Sequence, residues 1–311
     1  MKKENMSRRS ALKILGAGAT GIAAASIISP VAQAKDMIES VLFEEEEMEF
    51  EPLGAAQETH YTEKVVYEGP DVIFRQIDKH TWEGNGHLVY NETVYIVEGD
   101  KKALLIDAGT RIPDLDKIVA GITKKPVTLV ATHVHGDHTG SAVNLFDEIY
   151  INAADMVLVP QNMKGYKGTI KYLSDGQVFD LGGREIEVVF TPGHTPGCTT
   201  FFDKKAHYGF SGDAFGSTNL LLSTNFSTLL ATTTRTAAYM QKHGITKLYP
   251  GHYHGDNPET LQRVLDEKAM CEEMLAGTRK PQKNDQASMG LNAMINDHGV
   301  TIRFKDPDGI K

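Results

Sequence analysis

The chain has 311 residues, 41% of them hydrophobic and 23% charged, with 29 glycines, 12 prolines and a formal net charge of −9. Such a composition fits one large or two small globular domains and excludes a collagenous or wholly disordered chain. The acidic balance repels phosphate backbones, so nucleic acid is not an expected partner, and two cysteines, Cys198 and Cys271, exclude a disulfide scaffold.

In chain order, "MSRRSALKILG" places Arg8 and Arg9 ahead of an apolar run, and "VAQA" ends it in small residues at Ala32 and Ala34. A basic stretch, a short apolar core and an A-x-A site read as a secretory signal over residues 1–34, of twin-arginine type from its S-R-R-x-x-L-K pattern. Export is expected, to a bacterial periplasm or otherwise out of the cytoplasm, with no stable membrane anchor after cleavage. The signal carries Lys2, Lys3, Arg8, Arg9 and Lys13 against Glu4, so the mature chain is more acidic still. "GAGATG" (16–21) matches G-x-G-x-x-G, but it lies inside the signal with no strand before it and is no dinucleotide site. Residues 35–62, with "FEEEEMEFE", read as a solvated acidic segment.

A domain is expected over residues 63–311. "KVVYEG", "DVIFRQID", "HLVYNETVYIVEG" and "KALLIDAG" are strand-like, and residues 112–122 have helical apolar spacing. "VTLVATH" and "EIYIN" are buried strands. "QVFDLGGREIEVVFTPG" and "TTFFDKKAHYGFSGD" are hairpins. Residues 218–243 read as helix. The helix after Asn257 has Asn257 as its expected cap, Pro258 at its first turn and Gly277 at its stop. Leu261, Val264, Leu265, Cys271, Met274 and Leu275 form its expected buried face, and "GVTIRFKD" a last strand. This order suits helices packed outside two sheets.

The chemistry lies in the loops. In "TLVATHVHGDHTG" (128–140), His133 and His135 are two apart just past a strand, so both side chains point the same way and can share one ion. Gly136 lets the chain turn, and Asp137 and His138 then face a second position. Imidazole and carboxylate suit zinc and similar divalent ions. Further coordinating residues follow strand ends: His194 in "TPGHTPG", Asp213 in "SGD" and His252 in "PGH".

These motifs, in this order and approximate spacing, together with "LLIDAG", resemble the metallo-β-lactamase-fold hydrolases over about residues 64–255. The resemblance implies an α/β fold, a four-layer αββα sandwich of two mixed β-sheets flanked by helices. It implies that His133, His135 and His194 hold one metal, that Asp137, His138 and His252 hold a second, that Asp213 bridges them, and that Asp107 orients the ligand loop. The expected cofactors are two Zn2+, with Fe or Mn as alternatives.

The implied activity is hydrolysis of an ester, thioester or lactone of a small-molecule substrate by a hydroxide between the two ions, with Asp137 as the catalytic residue that orients water or moves a proton. The complete set with Asp213 is similar to hydroxyacylglutathione hydrolases and lactonases. Zinc β-lactamases that use a cysteine ligand carry it where Asp213 stands, and Cys198 is elsewhere. The alternatives are a zinc β-lactamase and a mononuclear-iron oxidoreductase like the persulfide dioxygenases, which keep the HxHxDH motif. Residues 80–95 are expected as a hairpin beside the groove, with Trp82, His87 and Tyr90 as substrate contacts. Residues 216–243 either cover the site or pack on the sheet.

Overall fold

The computed structural model describes residues 60–87, 91–285 and 288–310; the signal, residues 35–59 of the acidic segment and Tyr90 lie outside the described residues. Apolar runs broken by Gly, Asp and Asn become strands. The first eight are β1 (Lys64–Glu68), β2 (Val72–Asp78), β3 (Thr81–Gly86), β4 (Thr93–Glu98), β5 (Ala103–Ile106), β6 (Val127–Val130), β7 (Glu148–Ile151) and β8 (Thr169–Tyr172). They lie side by side in sequence order in one sheet, antiparallel from β1 to β5 and parallel from β5 to β8.

Parallel neighbours need crossovers. Helix α1 (Leu115–Ile122) links β5 to β6, and a 3-10 turn over Ala153–Leu158 followed by the short α2 (Val159–Asn162) links β7 to β8. The chain continues through β9 (Val178–Asp180), β10 (Glu185–Phe190), β11 (Thr199–Asp203), β12 (Tyr208–Gly212), β13 (Asn219–Leu222), α3 (Phe226–His243), β14 (Lys247–Pro250), β15 (Glu259–Thr260), α4 (Leu261–Leu275), β16 (Gln282–Lys283), β17 (Ala293–Asp297) and β18 (Val300–Phe304). A second sheet has the order β15-β14-β12-β11-β10-β9.

The two sheets meet through alternate residues of each strand. Tyr95, Val97, Leu104, Ile106 and Val130 of the first pack on Ile186, Val188, Phe201, Phe210 and Tyr249 of the second. Leu105 points the other way, onto Leu115 and Val119 of α1. Val189, Phe202 and Leu248 of the second sheet pack on Ala237 and Met240 of α3 and Val264 of α4. These three cores give the helix–sheet–sheet–helix layering of an αββα sandwich. The continuous apolar run of β5 follows from burial on both faces.

A third sheet, β13-β18-β17-β16, was not expected. Residues 219–222, where the sequence pattern predicts the start of a helix, are instead a strand parallel to β18. The helix begins only at Phe226, where the Asn225 side chain accepts the Thr228 N–H at 2.8 Å, and ends at Gly244 in left-handed conformation. The expected cap of α4 moves as well. Thr260 caps it, accepting the Arg263 N–H. Asn257 accepts the His254 N–H at 2.9 Å and donates to the His252 carbonyl at 2.8 Å, holding the loop after β14. Cys271 and Met274 sit in the core between α4 and the third sheet, while Val264 faces the second sheet.

Candidate metal centre

The C-terminal ends of β5, β6, β10, β12 and β14 lie along one edge of the sandwich; the loops after the last four carry the candidate ligands, and that after β5 carries Asp107. After β6 the Thr132 N–H is caught by Asp107 at 2.7 Å. The chain then turns, with the N–H groups of His138 and Thr139 both donating to the His135 carbonyl. That turn brings Asp137 and His138 back toward the edge. Gly251, ahead of His252, lies so close that a β-carbon there would stand 2.2 Å from Asp213 Oδ1 and 2.6 Å from the His138 ring.

Among the described residues, three groups of side chains could each hold an ion: His133, His135 and His194; His133, His138 and Asp213; and Asp137, His138 and His252. In the first, His135 Nδ1 is 3.1 Å from His133 Nε2 and 2.8 Å from His194 Nε2. Asp213 stands between the groups. Its Oδ2 is 3.6 Å from His194 and 3.2 Å from His252, and its Oδ1 is 3.6 Å from His138. Asp137 Oδ2 is 3.5 Å from His252 and 3.8 Å from His138. His133, His138 and His194 form a buried floor, while His135, Asp137 and His252 are partly exposed at the opening.

Burial and the neighbouring imidazoles hold His133 well below the usual histidine range, and burial with His135 brings His194 down to about 4. Burial likewise lowers His135. These rings are neutral donors at ordinary pH. Burial pushes His138 and His252 down too, but the carboxylates of Asp137 and Asp213 outweigh it. His138 is held well above its ordinary value, with Asp107 adding to the effect, and His252 is pushed up to about 9. In both rings the pull comes from the carboxylates that converge on the second group.

Tautomers are set from behind. Asp107, 1% exposed, accepts from Thr132 N and Thr132 Oγ1 at 2.7 Å and pairs with His138 Nδ1 at 2.8 Å. His194 Nδ1 lies 2.8 Å from the carbonyl of Leu221 in β13, which leaves Nε2 to the cluster. The Ser223 hydroxyl donates to the His194 carbonyl and that of Thr224 to the Gly193 carbonyl. The 216–224 segment thus packs against the His194 loop.

All seven expected ligands and Asp107 come together. Trp82 does not join them: as a correction, it faces α1 from β3, in the core with Ile96 and Leu115. Strand alternation puts Glu83, not Trp82, on the inter-sheet face. His87 is exposed at the end of β3, its N–H donating to the Asp71 carbonyl. Cys198 is buried, 3.3 Å from the Thr195 N–H, and burial pushes its thiol far up, so it stays protonated. Three further carboxylates support the site, with no motif of their own in the sequence. Glu92 accepts the Thr110 N–H, Glu259 the Ser217 N–H, and Asp155 three donors of the ligand loops. Asp155 follows the end of β7 as the ligands follow theirs, and that placement was the available signal.

The sequence profile of the Metallo-beta-lactamase superfamily matches residues 88–252. The chain is similar to an atrochrysone carboxyl ACP thioesterase of Aspergillus fumigatus, 30% identical over 67% of this chain and 49% of that one. It is also similar to a lactamase-like protein of Pestalotiopsis fici, 32% identical over 51% of this chain and 49% of that one. The chain thus spans about half the length of these relatives. An acyl-coenzyme A thioesterase of Homo sapiens is 25% identical over 55% of this chain and 76% of its own. A solved metallo-beta-lactamase from Pontibacter korlensis shares the fold, with a TM-score of 0.53 at 20% identity over 65% of this chain and 99% of that one. With a profile match across more than half of its residues, this chain belongs to the metallo-β-lactamase superfamily.

Proposed function

We propose that this protein is a metal-dependent hydrolase with two ions in its site, and that it cleaves acyl thioesters in preference to β-lactams. The observation that carries the reading is Asp213, placed between a three-imidazole group and an Asp-His-His group. The residues fit a pair of divalent cations. The buried His138 Nε2 and Asp213 Oδ1 face each other at 3.6 Å, and neither has a hydrogen-bond partner, although buried polar atoms ordinarily do. Nitrogen and carboxylate donors in this mixture suit zinc. His133, His135 and His194 would hold the first ion, Asp137, His138 and His252 the second, with Asp213 shared.

Ions bound there supply Lewis acidity, polarising a carbonyl and acidifying water near neutral pH. The chain does the rest. On its buried floor, His133 is held from behind by the Thr132 hydroxyl and His138 by Asp107. Asp137, partly exposed at the opening, is placed to take a proton and pass it on. Thioesters suit this arrangement because a thiolate leaves without prior protonation, whereas an amine needs a proton delivered to it. The relatives named as acyl-ACP and acyl-coenzyme A thioesterases support that choice. The Arg8–Arg9 motif supports export of the enzyme. The test is a comparison of kcat/KM for an acyl thioester, a set of lactones and a chromogenic cephalosporin with zinc-loaded protein. The thioester is expected to lead; a cephalosporin value well above the others overturns the substrate choice.

A further inference from the structure

Two of the three imidazoles of the first group come from the loop after β6 in one sheet, and the third from the loop after β10 in the other. Their nitrogens nevertheless converge to within 3.1 Å and 2.8 Å. Something has to hold the two loops in register across the seam.

Asp155 does so. It is 0% exposed and sits in the 3-10 turn after β7, a turn begun by Asn152, whose side chain accepts the Ala154 N–H. Asp155 Oδ2 accepts the N–H of Val134, the residue between His133 and His135, at 3.0 Å. The same oxygen accepts the hydroxyl of Thr195, next to His194, at 2.8 Å. Oδ1 accepts the Gly197 N–H at 2.7 Å. Gly197 is required for this approach, since a β-carbon there would lie 2.4 Å from the Asp155 carboxyl carbon. At the other end of the same segment, Asn162 donates to the Val134 carbonyl at 3.0 Å. Both polar groups of the Val134 backbone are thus gripped by side chains of one ten-residue helical bracket, and Asp155 ties that bracket to the His194 loop.

We infer that Asp155 is a positioning residue for the first ion, acting through Val134 and Thr195, with Asn162 as its partner on the opposite side of Val134. The inference rests on the metal reading above. Neither residue is among the ion-holding groups of the described residues, so each acts only through the loops it fastens.

The geometry makes the conservative change informative. Every partner of Asp155 is a donor. In Asp155→Asn one carboxylate oxygen becomes an NH2, which must point at a donor in either orientation, at Gly197 or at Val134 and Thr195. Thr195→Val removes a single hydroxyl at nearly constant shape and leaves the carboxylate in place.

The experiment titrates metal-free wild type, Asp155→Asn, Thr195→Val and Asn162→Ala with zinc against a competing chelator, and records cadmium NMR spectra, in which a site of three imidazoles and one carboxylate and a site of two imidazoles and two carboxylates resonate apart. Asp155→Asn is expected to weaken the first ion about 10- to 100-fold and to shift the resonance of the three-imidazole site, leaving the second ion little changed. Thr195→Val and Asn162→Ala are expected to weaken the first ion by smaller factors. If Asp155→Asn fails to fold, Thr195→Val decides. First-ion affinity equal to wild type in the variants that fold overturns the inference while the metal reading stands. So does equal weakening of both ions together with a fall in the unfolding temperature of the metal-free protein, which would make Asp155 a residue of general stability. Wild type that binds no ion at the imidazole group overturns the metal reading itself, and the inference with it.

Discussion

Replacing Asp107 by Asn changes one atom and should remove most of the grip on the second ion. In the folded chain, Asp107 faces donors: the Thr132 N–H and hydroxyl at 2.7 Å, and His138 Nδ1 at 2.8 Å. The pairing puts the imidazole proton on Nδ1 and leaves Nε2 of His138 facing Asp213 and Asp137. An asparagine that keeps its oxygen on the Thr132 N–H turns its NH2 toward Nδ1. The imidazole proton is then driven to Nε2, where it blocks coordination. The flipped amide instead sets NH2 against the Thr132 N–H. A hydrogen bond to a charged group is worth about 1.5–3 kcal/mol net. At 1.4 kcal/mol per decade, its loss weakens the second ion roughly 10- to 150-fold. The assay is zinc competition against a chelator with two resolved binding steps, alongside the unfolding temperature of the metal-free protein. Second-step affinity in Asp107→Asn indistinguishable from wild type would refute the reasoning, because it would mean that the proton on His138 is not set by Asp107.

Asp213→Ala should lower zinc content and activity far more than Cys198→Ser, because Asp213 lies between the two groups while the Cys198 thiol is buried against Thr195; equal large losses would make Cys198 a ligand. Gly251→Ala should deplete zinc in a folded protein, since the new methyl displaces Asp213 and His138, whereas Gly121→Ala in α1, with nothing within 4 Å, should leave zinc unchanged and add about 0.5–1 kcal/mol of stability; normal zinc content in Gly251→Ala would count against the proposed positions of those two ligands. Stability should also vary with pH through Glu83, whose carboxyl is pushed up from 4.5 to about 8 by burial against the pull of Arg75. The folded chain keeps this proton in that window while the unfolded chain loses it, so the Glu83 contribution to stability is present at low pH and is lost as pH rises from about 4.5 to about 8. Calorimetry of the metal-free protein should show a steeper fall of Tm for wild type than for Glu83→Gln; parallel slopes would exclude the effect.

The ligands were legible because each lies just past a strand end, within a short motif of Gly, Pro and coordinating residues. What supports them was not. Asp155 reaches Val134 and Gly197 across 21 and 42 positions, and Glu259 reaches Ser217 across 42, with no local pattern to mark either pairing. Asn219–Leu222 departs from its helical pattern for a related reason. Four residues of an apolar run fit a helix or a strand equally, and only pairing with β18, near the C-terminus, makes them a strand. Trp82 shows the limit of strand reading. Its place in a strand was evident, but which face it occupies depends on register, and one residue of slip exchanges the core between the sheets for the core under α1. Asn257 had the right residue type for a cap but serves the His252 loop instead, because Glu259–Thr260 first pair with β14.

The central claim is that one edge of this sandwich holds two ions joined by Asp213. Elemental analysis of the purified protein, without added metal and then after zinc loading, tests it most directly. Close to two divalent ions per chain, mostly zinc, falling toward one or none in Asp213→Ala, is the predicted result. One tightly held iron per chain with no zinc would contradict it and point to oxidative chemistry.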